Sequence, residues 1–147
     1  MEGEMMTEVV RPKILLVDDE KSILDSLYRF CRQRKWDAIR AEGGVEGVEG
    51  LELLANEEVD VIISDMRMPK MDGAEFLRKS RTVAPNAMRI LLTGYADMEA
   101  VISAVNDAKI HSHLNKPWDD KVLEVAINSA LDFKLKDDRR KKIMLEY

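Results

Sequence analysis

The chain has 147 residues, 46% hydrophobic and 35% charged, with a formal net charge of −5. That length suffices for one domain with a full core, while no apolar run approaches the roughly 18 residues of a membrane span. The acidic start MEGEMMTEVV lacks the basic and apolar regions of a signal peptide, and the single cysteine, Cys31, excludes an internal disulfide or a cysteine metal cluster, so the cytoplasm is the expected compartment.

Charge is unevenly spread. Residues 134–147, KLKDDRRKKIMLEY, carry six Lys/Arg and three Asp/Glu, so the body before them is more acidic than the total indicates. An acidic body argues against direct nucleic-acid binding, and the mixed basic tail reads as a solvated helix face.

In chain order, residues 1–12 form an N-terminal tail. KILLVD (13–18) predicts a strand, and residues 20–34 predict a helix with Ile23, Leu24, Leu27, Phe30 and Cys31 on one stripe. WDAIRA (36–41) predicts a second strand. Segment 45–55 is a weaker helix, because Gly47 and Gly50 each cost about 1 kcal/mol against Ala. VDVIISD (59–65) is a strand and 73–82 an amphipathic helix. MRILLT (88–93) is followed by a helix over 97–107, which aligns Met98, Val101, Ile102 and Val105. IHSHLN (110–115) and a helix over 119–133 complete the set. Five strands alternating with five helices imply βαβ crossovers and a parallel sheet covered on both faces, hence an α/β fold. The near-continuous runs ILLV and VII fit strands buried on both sides.

Helical character continues past Leu131 through Phe133 and Leu135 into a charged stretch. There Asp132–Lys136, Asp137–Lys141 and Asp138–Lys142 are acid-before-base pairs at i,i+4. A helix from Asp119 to Tyr147 would be roughly 43 Å long. Residues 13–133 thus read as the domain, and 134–147 as a helical extension or linker toward an output domain or a dimer partner.

In an open parallel α/β sheet, ligands bind outside the carboxyl ends of the strands. Asp18, Asp19 and Glu20 follow the first strand, Asp65 ends the third, Thr93 ends the fourth and Lys116 follows the fifth. Carboxylates gathered within a few ångströms cannot all stay ionised without a compensating charge. A hard divalent cation such as Mg²⁺, or Mn²⁺, supplies it. Metal plus Lys116 would form a positive pocket around Asp65, suited to phosphoryl transfer with that carboxylate as nucleophile. Thr93 is placed to donate its hydroxyl to a phosphoryl oxygen.

LLVDDE, SDMRMPKMDG, LLTGY and NKPW, in this order and spacing, resemble the receiver domain of bacterial two-component response regulators over roughly Lys13 to Phe133. The resemblance implies a flavodoxin-like receiver fold with a five-stranded 2-1-3-4-5 sheet, the strand order that the doubly-wound rule itself gives for flavodoxin-like folds. It implies Asp65 as phospho-acceptor, and Asp18 and Asp19 as the acidic pair that orders Mg²⁺, with Asp65 and the backbone carbonyl of Arg67 as further ligands. It implies Thr93 as the switch hydroxyl, Lys116 as the lysine on the phosphoryl group, and a cis Lys116–Pro117 bond. A sensor histidine kinase is the implied partner. A homodimer through the fourth helix, fifth strand and fifth helix, or through the C-terminal helix, is the other. Turnover of an external substrate is not implied, so the chain reads as a switch rather than an enzyme.

His113 departs from the pattern, standing where the family usually has Tyr or Phe; with Thr93 it forms the expected switch pair. Arg67 and Tyr95, each two residues past a site residue, are expected at the pocket mouth. His111 and His113 read as structural, Cys31 as buried and inert, and Met66, Met68, Met71 and Met88 as gap fillers. Three other functions compete. An aspartate-nucleophile phosphatase usually has a second acid where Arg67 stands. A flavodoxin-like cofactor binder would need a glycine-rich loop after the first strand. A phosphorylation-independent adaptor would leave an intact site idle.

Overall fold

The computed structural model describes residues 11–41, 46–94 and 108–146. Five strands, β1 (Lys13–Val17), β2 (Asp37–Ala41), β3 (Val61–Asp65), β4 (Met88–Thr93) and β5 (Ser112–Asn115), form one sheet in the order β2-β1-β3-β4-β5. Every pairing is parallel. The described helices are α1 (Lys21–Gln33), α2 (Glu46–Asn56), α3 (Gly73–Val83) and α4 (Asp120–Glu146). The helix expected over 97–107 and most of the N-terminal tail lie outside the described residues.

The central strands read as unbroken apolar runs because successive side chains enter two different cores. Leu15, Val17, Ile62 and Leu91 join Leu54, Phe76 and Leu77 on one face. Ile14, Leu16, Ile63, Ile90 and Leu92 join Leu24, Leu27, Leu123 and Ile127 on the other. Gly50 in α2 has a packing reason: a Cβ there would sit 2.8 Å from the Phe76 ring. The methyl group that would favour the helix would crowd the α2–α3 contact.

Element ends differ from the periodicity by local hydrogen bonding. β3 starts at Val61 rather than Val59, because the Asp60 carboxylate accepts the Lys13 N–H at 2.9 Å. β5 begins at Ser112 rather than Ile110; Lys109, just before, has φ of 54°. α4 begins at Asp120 because the Asp119 carboxylate accepts the N–H groups of Lys121 and Val122, at 2.8 and 3.2 Å, as an N-cap does.

The helix at 119–133 and its extension are one element. Lys136 and Lys141 pair with Asp132 and Asp137, each at 3.0 Å. Asp138, expected to meet Lys142, is held by Lys134 at 3.0 Å. Lys134 also reaches Asp60 at 3.3 Å, and Lys141 reaches Asn86 at 3.0 Å. The extension is therefore tied to residues preceding β3 and β4, an attachment that its charge pattern did not reveal.

One glycine links the fold to the edge where the acids gather. Gly73 opens α3 after its N-cap Asp72, and its N–H donates to Met66 O at 2.7 Å. A Cβ at Gly73 would fall on the backbone carbonyl of Asp65. Gly73→Ala is expected to destabilise the protein by about 2–3 kcal/mol through forced backbone movement. Urea unfolding measures this, and wild-type stability would contradict the close approach.

Candidate functional site

The strand order brings the carboxyl ends of β1, β3, β4 and β5 to one edge. Asp18 directly follows β1, Asp65 ends β3, Thr93 ends β4, and Lys116 directly follows β5. Asp18, Asp19 and Asp65 each offer a carboxylate oxygen within 4.8 Å of the others. The Lys116 ammonium donates to Asp18 Oδ2 and to Asp65 Oδ1, both at 2.9 Å. The Lys116–Pro117 bond is cis, as the resemblance implied.

The backbone fixes these positions. Asp18 Oδ1 accepts the Glu20 N–H at 2.9 Å. This tightens the turn after β1, while Glu20, the N-cap of α1, makes no side-chain cap hydrogen bond. The acids are therefore not there to cap α1, and Glu20 itself stays outside the cluster. Ser64 Oγ donates to the Asp65 carbonyl at 2.9 Å, and Met66 N–H donates to Leu92 O at 2.9 Å. Lys116 N–H donates to Thr93 O at 2.7 Å, locking the β5 end to the β4 end. Residue order alone does not mark Ser64 and Gly73 as supports of Asp65. The MDG turn in SDMRMPKMDG was the available signal for Gly73; Ser64 gave none.

Charge at this edge is unbalanced. Asp18 and Asp65 are buried and share the Lys116 ammonium, while Asp19 beside them is exposed. Burial pushes the Asp18 carboxyl up to about 6, with Asp65 adding to the rise, against the opposing pull of Glu20 N–H and Lys116. Burial also raises Asp65, aided by Asp19, while Lys116 and the Met66 N–H oppose it. For Lys116, burial favours the neutral amine, but its two carboxylate partners outweigh that and hold the ammonium.

Thr93 is fully buried, and its Oγ1 has no hydrogen-bond partner. A buried polar atom left unsatisfied costs about 1–3 kcal/mol. Oxygen donors in excess of positive charge fit a hard divalent cation. The orphaned hydroxyl beside them fits an oxygen-bearing group on that cation.

Other expected residues are placed less closely. Arg67 lies two residues beyond Asp65 with an exposed side chain, and Tyr95 lies outside the described residues. His113 is exposed on β5 beside Leu91, whereas Leu114 packs on the core. His111 precedes β5. It stacks near Phe133 at 5.9 Å, with Ser129 Oγ at 3.3 Å from its Nε2. Cys31 is buried and its thiol is pushed up to about 12, which makes it inert. No described helix is long and apolar enough to cross a membrane.

The family model of the response regulator receiver domain matches residues 14–128. The hydrogenase transcriptional regulatory protein HoxA of Cupriavidus necator is 37% identical over 105 residues, 71% of this chain and 21% of that protein. The transcriptional regulatory protein GlrR of Escherichia coli is 34% identical over 119 residues, 81% of this chain and 26% of that protein. The chain thus spans only about a quarter of the length of such curated relatives. Sporulation initiation phosphotransferase F of Bacillus subtilis is matched over 98% of its length and 86% of this chain, at 26% identity. The signal receiver domain of an HD domain-containing protein from Pseudomonas fluorescens superposes with a TM-score of 0.84 at 36% identity, covering 91% of this chain and 96% of that one. Receiver domains are phosphoryl-accepting signalling modules that interact with histidine kinases and bind Mg²⁺ at an acidic cluster of this kind.

Two outcomes follow from the site's electrostatics. The folded Asp18 carboxyl keeps its proton up to about pH 6, against an ordinary value of 3.8. The folded state therefore binds more protons between those values, and metal-free stability falls as pH rises through that window. Asp18→Asn is expected to exceed wild type by about 1–3 kcal/mol at pH 8 without divalent ions, with the gap closing toward pH 4; chemical denaturation across pH measures it. Thr93→Val removes the orphaned hydroxyl and is expected to gain about 1 kcal/mol in the same assay. A loss of stability there would mean that the hydroxyl is satisfied.

Proposed function

The chain belongs to the response regulator receiver family, and we propose that Asp65 is its phospho-acceptor, taking a phosphoryl group from the phosphohistidine of a sensor kinase in a Mg²⁺-dependent reaction. The observation that carries this reading is the shared lysine: Lys116 at 2.9 Å from both Asp18 and Asp65. An ammonium beside the acceptor oxygen is what a transferring phosphoryl group requires, since such catalysis is mostly positioning and charge stabilisation.

Asp65 supplies the nucleophilic oxygen; the phosphorus–nitrogen bond to the donor imidazole breaks as the Asp65–phosphorus bond forms. Asp18, Asp19, Asp65 and the Arg67 carbonyl would hold the divalent ion (Mg²⁺, with Mn²⁺ as a substitute), which when bound neutralises charge on the transferring group. Lys116 leaves its carboxylate contacts in part to meet a phosphoryl oxygen. Thr93 Oγ1, buried and without a partner, donates to another. That draws the end of β4 inward, and His113 on the adjacent strand passes the change toward the surface of β5 and α4.

The readout is a change of surface that an output domain or a second copy of the chain would sense. α4 is the route on which this reading relies, because Lys134 and Lys141 tie it to residues just before β3 and β4. Residues 13–133 form the receiver in this reading and 134–147 its helical extension. The chain turns over no external metabolite, acts in the cytoplasm, and contacts neither nucleic acid nor membrane. An adaptor indifferent to phosphorylation is not favoured, because it would leave three converging acids and their lysine without a task.

Incubation with a small acyl phosphate and Mg²⁺ is expected to add the mass of one phosphoryl group. Asp65→Asn is expected to abolish the adduct while keeping the fold, as intact-mass spectrometry and circular dichroism would record. An adduct that survives Asp65→Asn would remove Asp65 from the role.

A further inference from the structure

At the N-terminal end of β4, away from the carboxylate edge, a cavity of about 590 Å³ lies against α3. Five cationic side chains line it: Arg78, Lys79, Arg81, Arg89 and Lys109. Thr82 and Pro85 complete the lining among the described residues, none of which is an acid or carries an aromatic ring. Lys79 is engaged by Glu75, one helical turn back, at 3.2 Å. In a chain of net charge −5, this is a local reversal of sign.

Arg89 sets the cavity apart from an ordinary basic surface. It is only 8% exposed, on a strand residue whose neighbours are core. Its Nε donates to the carbonyls of Ala108 at 2.9 Å and Lys109 at 3.3 Å. Its Nη1 is buried with no hydrogen-bond partner. Lys109 takes a left-handed conformation, φ 54°, uncommon for a side chain other than Gly, Asn or Asp. That turn presents two successive carbonyls to Nε and fixes the guanidinium. Burial and the nearby Arg81 charge both push the Arg89 guanidinium down.

We propose that this cavity binds a small ligand bearing a multiply charged phosphate of the diphosphate class. A fixed guanidinium fork matches phosphate oxygens, and several convergent cations match more than one negative charge. With no aromatic ring among the described lining residues, recognition rests on the phosphates. Inorganic diphosphate and the diphosphate of a nucleotide share that chemistry. The site is independent of phosphorylation at Asp65: Arg89 and Thr93 sit four residues apart on β4, roughly 13 Å along the strand.

The full chain, ¹⁵N-labelled in Mg²⁺-free buffer, is titrated with sodium pyrophosphate, with ADP, and with sodium chloride at equal ionic strength. The expected result is a saturable shift of the Arg89 Nε–H and Lys109 amide signals with pyrophosphate. ADP binding as tightly as pyrophosphate, or more weakly, supports the proposal and separates the two sources. Arg81→Gln/Lys109→Gln, at two exposed positions, and Arg89→Met are each expected to weaken binding about tenfold or more. If Arg89→Met does not fold, the double variant decides. Shifts that follow chloride equally, shifts confined to Lys116 and Thr93, or wild-type affinity in the double variant would overturn the proposal.

Discussion

One ammonium shared between two buried carboxylates governs the site. Lys116 contacts Asp18 and Asp65 at equal distance, from a loop after the last strand, while the acids come from the first and third. Removing the lysine from such a buried group typically costs about 3–5 kcal/mol, because its carboxylates are left uncompensated. Here the bond is asymmetric even when intact, since a single positive charge cannot balance its acids. Burial accordingly drives Asp18 and Asp65 toward their protonated forms. The same imbalance that weakens the metal-free fold makes the edge a strong seat for added positive charge. Stability and ligand affinity are thus set by one electrostatic deficit.

The sheet makes that deficit affordable. Strands buried on both faces contribute large apolar areas, and their order β2-β1-β3-β4-β5 brings chain-distant tips together. The supports around Asp65 are almost all backbone groups: Met66 N–H to β4, Gly73 N–H back to Met66, and the Ser64 hydroxyl on the Asp65 carbonyl. A carboxylate held in this way changes its charge or its partner without reorganising the core beneath it. Thr93 is the exception. Its hydroxyl, at the end of β4, is buried and has no hydrogen-bond partner.

Much of this was legible from residue order, because strand-tip chemistry lies next to strand periodicity. Asp18, Asp65, Thr93 and Lys116 could be placed on one edge once ILLV, VII and LLT were read as parallel strands. Contacts that depend on the direction of a long helix were not legible. Lys134–Asp60 and Lys141–Asn86 join residues far apart in sequence, and the local pattern around Lys134 and Lys141 offered only i,i+4 partners. The orientation of His113 was hidden for a related reason. With β5 only four residues long, alternation could not say which side chain faces the core, and Leu114 takes that place.

Arg89 shows most clearly what periodicity conceals. In MRILLT it reads as the polar opening of a strand, yet it lies on the buried side of β4 with Leu91. A charge in that position is tolerated because the turn at Ala108 and Lys109 offers carbonyls to its Nε. Those carbonyls engage one nitrogen and leave Nη1 unmatched. β4 therefore carries an unsatisfied cation near its start and an unsatisfied hydroxyl at its end, and each is a group that an anionic oxygen would satisfy.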